Sequence, residues 1–262
     1  MSTLTLAVRD SSTMLRRNLL HMRRYPSLTL LLIGVPVIIL LLFVYVFGGT
    51  LGAGLGPSGD RSDYANYVTP GILLITVASA AQGTAISVAM DMTEGIIARF
   101  RTMAIFRPSV LTAHVLGSLI QTMVSIAAVT GVALLVGFRP TANPVEWLAA
   151  IGVLAMITFA VTWLSVALGL VSESVETASN LPMPLVLLPF LGSGFVPTDS
   201  MPAPVRWFAD YQPFTPVMET LRGLLLGTGI GANGIIAVVW CVVISVLCFL
   251  WAKALYNRNR AA

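Results

Sequence analysis

Glu94-Gly95-Ile96-Ile97-Ala98-Arg99-Phe100-Arg101-Thr102-Met103-Ala104-Ile105-Phe106-Arg107-Pro108 lies between two long apolar stretches, and its pattern decides how the chain is read. About four polar residues suffice to turn a chain around. This connector is longer, basic and amphipathic. At the helical period Ile96, Ile97, Phe100, Met103 and Ala104 fall within roughly 120° of arc, with Ala98, Arg101 and Thr102 on the other side. Such a helix can rest on a membrane surface or be gripped by a partner. Glu94, at its start, is suited either to the helix dipole or to a contact that transmits motion.

The composition around it is that of an integral membrane protein. Of 262 residues, 56% are hydrophobic and 10% charged, against ~25% charged in an average soluble protein. Six apolar segments stand out, at about 28–47, 67–90, 110–137, 145–171, 181–196 and 232–255. A helix needs ~20 residues to cross the hydrocarbon core. Only the fifth segment falls short, and it carries Pro182, Pro184 and Pro189. Their missing N–H groups free backbone carbonyls, which is tolerable only against neighbouring protein.

The fold expected is therefore an all-α integral membrane protein with six transmembrane helices, residues 28–262, preceded by a cytoplasmic amphipathic segment, residues 1–27. In that segment Arg16, Arg17, Arg23 and Arg24 share one helical face, and Met14, Leu15, Leu19, Met22 and Tyr25 fall mostly on the other. This reads as an interfacial helix on an anionic leaflet; the alternative is a disordered basic tail. The apolar run beginning at Leu28 is longer than a signal-peptide core, so an uncleaved first span is expected. With both termini inside a plasma membrane, eleven of the fifteen Lys and Arg lie on the inner side, including Arg99, Arg101, Arg107, Lys253, Arg258 and Arg260, as the positive-inside rule asks. Trp147 and Trp163, ~24 Å apart along a helix, are expected at opposite interfaces of the fourth span.

Two polar regions are expected on the outer side. A Gly-rich loop runs from Gly48 to Asn66. The stretch from Pro197 to Gly231 is too punctuated to span and too apolar for a free loop. Two short re-entrant or capping helices broken at Gln212-Pro213 fit it, with Glu219 and Arg222 spaced to pair.

Other chemistries find little support. No Gly-x-x-x-x-Gly-Lys-Ser/Thr loop occurs, so ATP hydrolysis by this chain itself is not expected. Gly229-Ile230-Gly231-Ala232-Asn233-Gly234 matches the dinucleotide pattern literally but lacks the strand that the pattern requires. Cys241 and Cys248 are ~10 Å apart along one helix, too far for a disulfide, and read as buried small hydrophobes. His21 and His114 have no ligand partners at metal spacing, and His114 reads as a packing residue. The net charge of +4 is segregated by membrane side and does not indicate nucleic-acid binding. Gln82, Ser87, Gln121 and Ser125 are interhelical polar contacts or, alternatively, lining of a substrate path.

Several motifs together resemble one family. Tyr67-Val68-Thr69-Pro70-Gly71 opens the second span; Glu94-Gly95, Arg99 and Arg101 mark the connector; Gly192 to Pro197 is followed by Met201-Pro202, Pro213-Phe214-Thr215-Pro216 and Leu221-Arg222-Gly223-Leu224-Leu225. Over nearly its whole length the chain resembles ABC-2 type transporter permeases, particularly daunorubicin-resistance-like drug exporters of actinobacteria. It departs at Ala104-Ile105-Phe106, where relatives often carry a proline.

The resemblance implies a non-enzymatic half-transporter that pairs with a second permease subunit, identical or different, and with two copies of a separate ABC ATPase holding ATP and Mg. The connector would be the coupling helix, with Glu94, Gly95, Ile97, Arg99, Phe100, Arg101 and Met103 facing the ATPase. The outer helices, with Pro213, Phe214, Pro216, Glu219 and Arg222, would close the exit. The implied function is export of an amphipathic drug or lipid-like compound. Alternatives are export of a lipid-linked cell-wall glycan and a non-transporting structural or sensory role.

Overall fold

The computed structural model describes residues 26–54, 60–93 and 108–258. The N-terminal basic segment and the 94–107 connector, and with them Arg16, Arg17, Arg23, Arg24, Glu94, Gly95, Ile97, Arg99, Phe100, Arg101 and Met103, lie outside the described residues. Every regular element among the described residues is helical. In chain order these are α1 (Pro26–Leu41), a π-helical stretch (Leu42–Phe47), α2 (Gly48–Ala53), α3 (Arg61–Thr93), α4 (Pro108–Val136), α5 (Pro144–Val171), α6 (Val175–Asn180), α7 (Met183–Leu187), a 3-10 turn (Thr198–Ser200), α8 (Ala203–Tyr211), α9 (Phe214–Leu226) and α10 (Asn233–Arg258). Five helical stretches among these residues are long and apolar enough to cross a membrane: Thr29–Ala53, Arg61–Thr93, Leu111–Val136, Pro144–Val171 and Asn233–Tyr256.

Local chemistry sets several helix ends. The Asn143 carboxamide oxygen accepts from the N–H groups of Val145 and Glu146, both at 2.9 Å, and the Glu146 carboxylate accepts from the Asn143 N–H at 2.7 Å. This capping box, with Pro144 at the first helical position, starts α5. A similar arrangement begins α3: Asp60 Oδ1 accepts from Ser62 N and Asp63 N, at 2.7 and 2.9 Å. The second span was expected from Tyr67, but the Asp60 cap begins its helix at Arg61. The expected outer loop shortens at its other end too, because Gly48–Ala53 continues the helical path of α1. Gly137, with φ +124°, and Gly227, with φ +72°, end α4 and α9, in backbone regions that exclude most side chains.

Helix α3 is the central element. It is buried over most of its length and packs against α1, α4, α5, α6, α7 and α9. Helices α1, α4 and α10 keep broad apolar faces exposed, as at Leu30, Val124 and Leu247; those faces suit lipid. Two close crossings need glycine. A Cβ on Gly71 would lie 2.8 Å from the Gly194 carbonyl oxygen, and one on Gly169 2.7 Å from the Ala85 carbonyl oxygen.

The fifth apolar segment is not one helix. Among residues 181–196 only Met183–Leu187 is α-helical, and turns follow. Pro182, Pro184 and Pro189 cannot donate to the carbonyls four residues back, which prevents a continuous ladder. The broken path still runs along α3. The Gln82 carboxamide donates to the Ser179 carbonyl at 2.7 Å, Gly71 abuts Gly194, and the Tyr64 hydroxyl lies 3.3 Å from the Phe195 carbonyl. From Gln82 to Tyr64 α3 rises ~27 Å, close to the thickness of a hydrocarbon core. The π-helical stretch supplies Phe43 to its other side. The Phe43 and Phe195 ring centroids are 4.5 Å apart, and Phe190 stacks on Phe195 at 4.6 Å.

Trp163 does not mark an interface. It is buried in a cluster with Val88, Val115, Val166 and Cys248, and meets Phe249 edge to face at 5.0 Å. Helical spacing alone placed it near the end of a span, but its face of α5 points into the bundle.

Substituting Gly71 with Val is expected to destabilise the fold by about 1–3 kcal/mol through backbone overpacking. Gly131→Ala, where a Cβ meets nothing within 4 Å, is expected to be neutral or slightly stabilising. Thermal unfolding in detergent checks both.

Candidate functional site

Two ends of the bundle can be distinguished. Helix α3 ends and α4 begins at the end from which the 94–107 connector leaves. At the opposite end lie the starts of α3, α5 and α10, together with α8 and α9.

At that opposite end the two expected short helices are present, and they break at Gln212-Pro213 as their sequence requires. Pro202, before α8, and Pro213, before α9, mark the two starts, and Gln212 is extended. Gln212 is buried and donates its amide to the Leu188 carbonyl at 3.0 Å. A Cβ on Gly192 would collide with the Gln212 amide, so this glycine lets the turn approach the fifth segment. Phe214 and Pro216 are buried beneath the turn and Pro213 is half-buried.

Arg222, on α9, is the centre of this end. Its side chain is 8% exposed and pairs with Glu219, which is 33% exposed. One guanidinium nitrogen, Nη2, donates to the Ser193 carbonyl at 2.9 Å and to the Tyr67 carbonyl at 3.2 Å. The guanidinium carbon lies 3.9 Å from the centroid of the Tyr67 ring, within cation–π range. One residue of α9 thus holds the start of α3 and the irregular backbone after α7. The planar fork suits arginine to this task in a way the point charge of lysine does not.

The expected pathway residues take separate roles. Gln82 joins α3 to α6. Gln121 donates to the Thr29 hydroxyl at 3.1 Å, joining α4 to α1. Ser125 is fully buried and Ser87 is exposed. They do not converge on one site.

At the connector end a pair appears that sequence reasoning missed. His114 Nε2 lies 3.0 Å from Asp91 Oδ2, and both side chains are largely buried. The signal available was the length of α3: a helix reaching Thr93 carries Asp91 inside the bundle, facing a histidine on the next helix.

Comparison with known proteins agrees with this architecture. A profile of the ABC-2 type transporter matches residues 10–226. The chain belongs to the ABC-2 type transporter family. It is 28% identical over 256 residues, 97% of this chain and 88% of the relative, to the daunorubicin resistance ABC transporter permease protein DrrB1 of Streptomyces coeruleorubidus. It is 24% identical over 188 residues, 71% of this chain and 68% of the relative, to the "probable doxorubicin resistance ABC transporter permease protein DrrC" of Mycobacterium tuberculosis, in strains CDC 1551 and H37Rv. This ABC-2 permease is a multi-pass membrane protein homologous to drug-resistance exporter permeases.

Removing the guanidinium of Arg222 leaves the Ser193 carbonyl and Glu219 without their partner. Arg222→Ala is expected to lower stability by about 3 kcal/mol. Arg222→Lys, which keeps the charge but not the fork, is expected to lower it by a smaller amount. The ordering is read from thermal unfolding in detergent.

Proposed function

We propose that this permease is the membrane half of an ATP-driven exporter of amphipathic drugs or lipid-like compounds, acting from the cytoplasm or inner leaflet. The carrying observation is the similarity to a daunorubicin resistance permease across 97% of the chain. Two permease subunits, alike or different, form the pathway, and two copies of a separate ABC ATPase supply ATP hydrolysis.

In this reading the plasma membrane is crossed six times. The path of residues 179–195 along α3 supports the proline-broken fifth segment as one of the crossings. An even number places both termini on the cytoplasmic side, where the basic residues concentrate. Irregular backbone at membrane depth is tolerable where protein covers it, and α1, α3 and α9 supply that cover. The 94–107 connector is then cytoplasmic and seats in the ATPase through Glu94, Gly95, Ile97, Arg99, Phe100, Arg101 and Met103. The basic segment with Arg16, Arg17, Arg23 and Arg24 flanks it on the inner leaflet.

Helices α8 and α9 lie at the outer end in this frame. Helix α8 exposes Trp207, Phe208 and Tyr211, residue types favoured at membrane interfaces. Arg206 of α8 pairs with both Asp199 and Asp210, so its charge is countered on this face. Pro213, Phe214, Pro216, Glu219 and Arg222 anchor the two helices as a closure over the pathway. Gln82, Ser87, Gln121 and Ser125 remain candidates for contact with the transported compound in another conformation.

The double variant Phe100→Ala/Arg101→Glu removes the apolar anchor and reverses one charge of the connector. It is expected to abolish co-purification with the ATPase and drug efflux while leaving membrane insertion intact. Retained association and efflux would remove the connector from the ATPase contact.

A further inference from the structure

Among the described contacts between the arms of the α3–α4 hairpin, two are polar side-chain pairs. Thr84 and Ser118 share a 2.6 Å hydrogen bond near the middle, and Asp91 and His114 meet at 3.0 Å near the connector. From Thr84 to Asp91 the helix rises ~10 Å. Asp91 comes three residues before the 94–107 segment and His114 seven after it. The pair therefore fixes both roots of the connector to one another. His114 Nε2–H can donate to the carboxylate in the neutral and in the protonated imidazole alike, so the contact does not require a charged histidine.

Two features argue against mere packing. A buried carboxylate–imidazole pair stabilises a bundle poorly compared with apolar residues of the same volume, because both partners lose water. Its advantage is directional: it fixes relative position and orientation, which apolar contacts do loosely. Leu111 and Val115, on the same helix as His114, and Val88, on the same helix as Asp91, belong to the buried cluster that holds Trp163 and Tyr256. A displacement at the roots of the connector is shared between α3 and α4 through this directional contact as well as through the close packing around it. Helix α3 extends from that pair to Tyr67, whose carbonyl and ring hold Arg222 of α9.

We infer that Asp91 and His114 are positioning residues that join the connector to the α3–α4 hairpin, so that the nucleotide state of the partner ATPase reaches the far end of the bundle. The inference rests on the exporter reading.

The test uses the full complex of permease and ATPase in lipid nanodiscs. A spin label is placed at exposed position 207 by Trp207→Cys, with Cys241 and Cys248 replaced by Ala. Label mobility is compared without nucleotide and with ATP plus vanadate. The parent complex is expected to show a nucleotide-driven change. Asp91→Ala and His114→Ala are each expected to lose most of that change, with the ATPase still bound and hydrolysing. Asp91→Asn, whose carboxamide oxygen still accepts from His114, is expected to keep it. Should the alanine variants fail to insert, His114→Phe fills the volume without the hydrogen bond and is expected to lose the response likewise. A full response in the variants that remove the hydrogen bond would overturn the inference and leave the exporter reading standing. A parent chain that binds no ATPase, or shows no nucleotide response, would overturn the reading and the inference with it.

Discussion

A buried guanidinium organises the end of this bundle opposite the connector. Arg222 is costly to place there, since an unpaired charge in an apolar surround is penalised by several kcal/mol. The cost is offset by the Glu219 carboxylate, the Ser193 and Tyr67 carbonyls and the Tyr67 ring that the guanidinium meets. Ser193 lies on irregular backbone after α7, and its carbonyl has no helical ladder to accept from. Glu219, one turn earlier on α9, supplies the countercharge, and the face of Tyr67 covers the guanidinium plane. Without Arg222, α9 would have apolar packing but no directional contact with α3.

The broken fifth segment follows from the same constraint. Three prolines prevent a regular helix between residues 181 and 196, so carbonyls along it must be met from outside. Arg222 meets one at Ser193 and Gln212 another at Leu188. The small residues Gly71, Gly192 and Gly194 let the irregular chain approach α3 and the α8–α9 turn closely enough for those bonds. An irregular, side-chain-braced element beside a straight central helix has a natural place to yield.

Much of this was legible in the sequence because apolar length and proline placement are local signals. Five long spans, the helix break at Gln212-Pro213 and the Glu219–Arg222 pairing all follow from spacing and turn chemistry. The family was legible from motifs spread across the chain. What sequence did not reveal is tertiary. Asp60 begins α3 six residues earlier than hydropathy suggests, because a cap outweighs the polarity of Ser62 and Asp63. Trp163 faces inward because α10 covers it, a fact that periodicity within α5 does not contain. His114 gave no sign of its partner, since a contact with Asp91 depends on how two helices register across a connector of unrelated sequence. Among the expected pathway residues, Gln82 and Gln121 serve separate interhelical contacts, which composition cannot distinguish from a lining.

The exporter reading is tested most directly by reconstituting the chain with an ABC ATPase from the same genome in lipid nanodiscs. ATP hydrolysis is then measured against panels of amphipathic drugs, lipids and glycan-linked lipids. The expected result is a stable complex whose hydrolysis rises with an amphipathic drug or a lipid. Stimulation by glycan-linked lipids alone would contradict the substrate class, and failure to associate with any ABC ATPase would contradict the exporter itself.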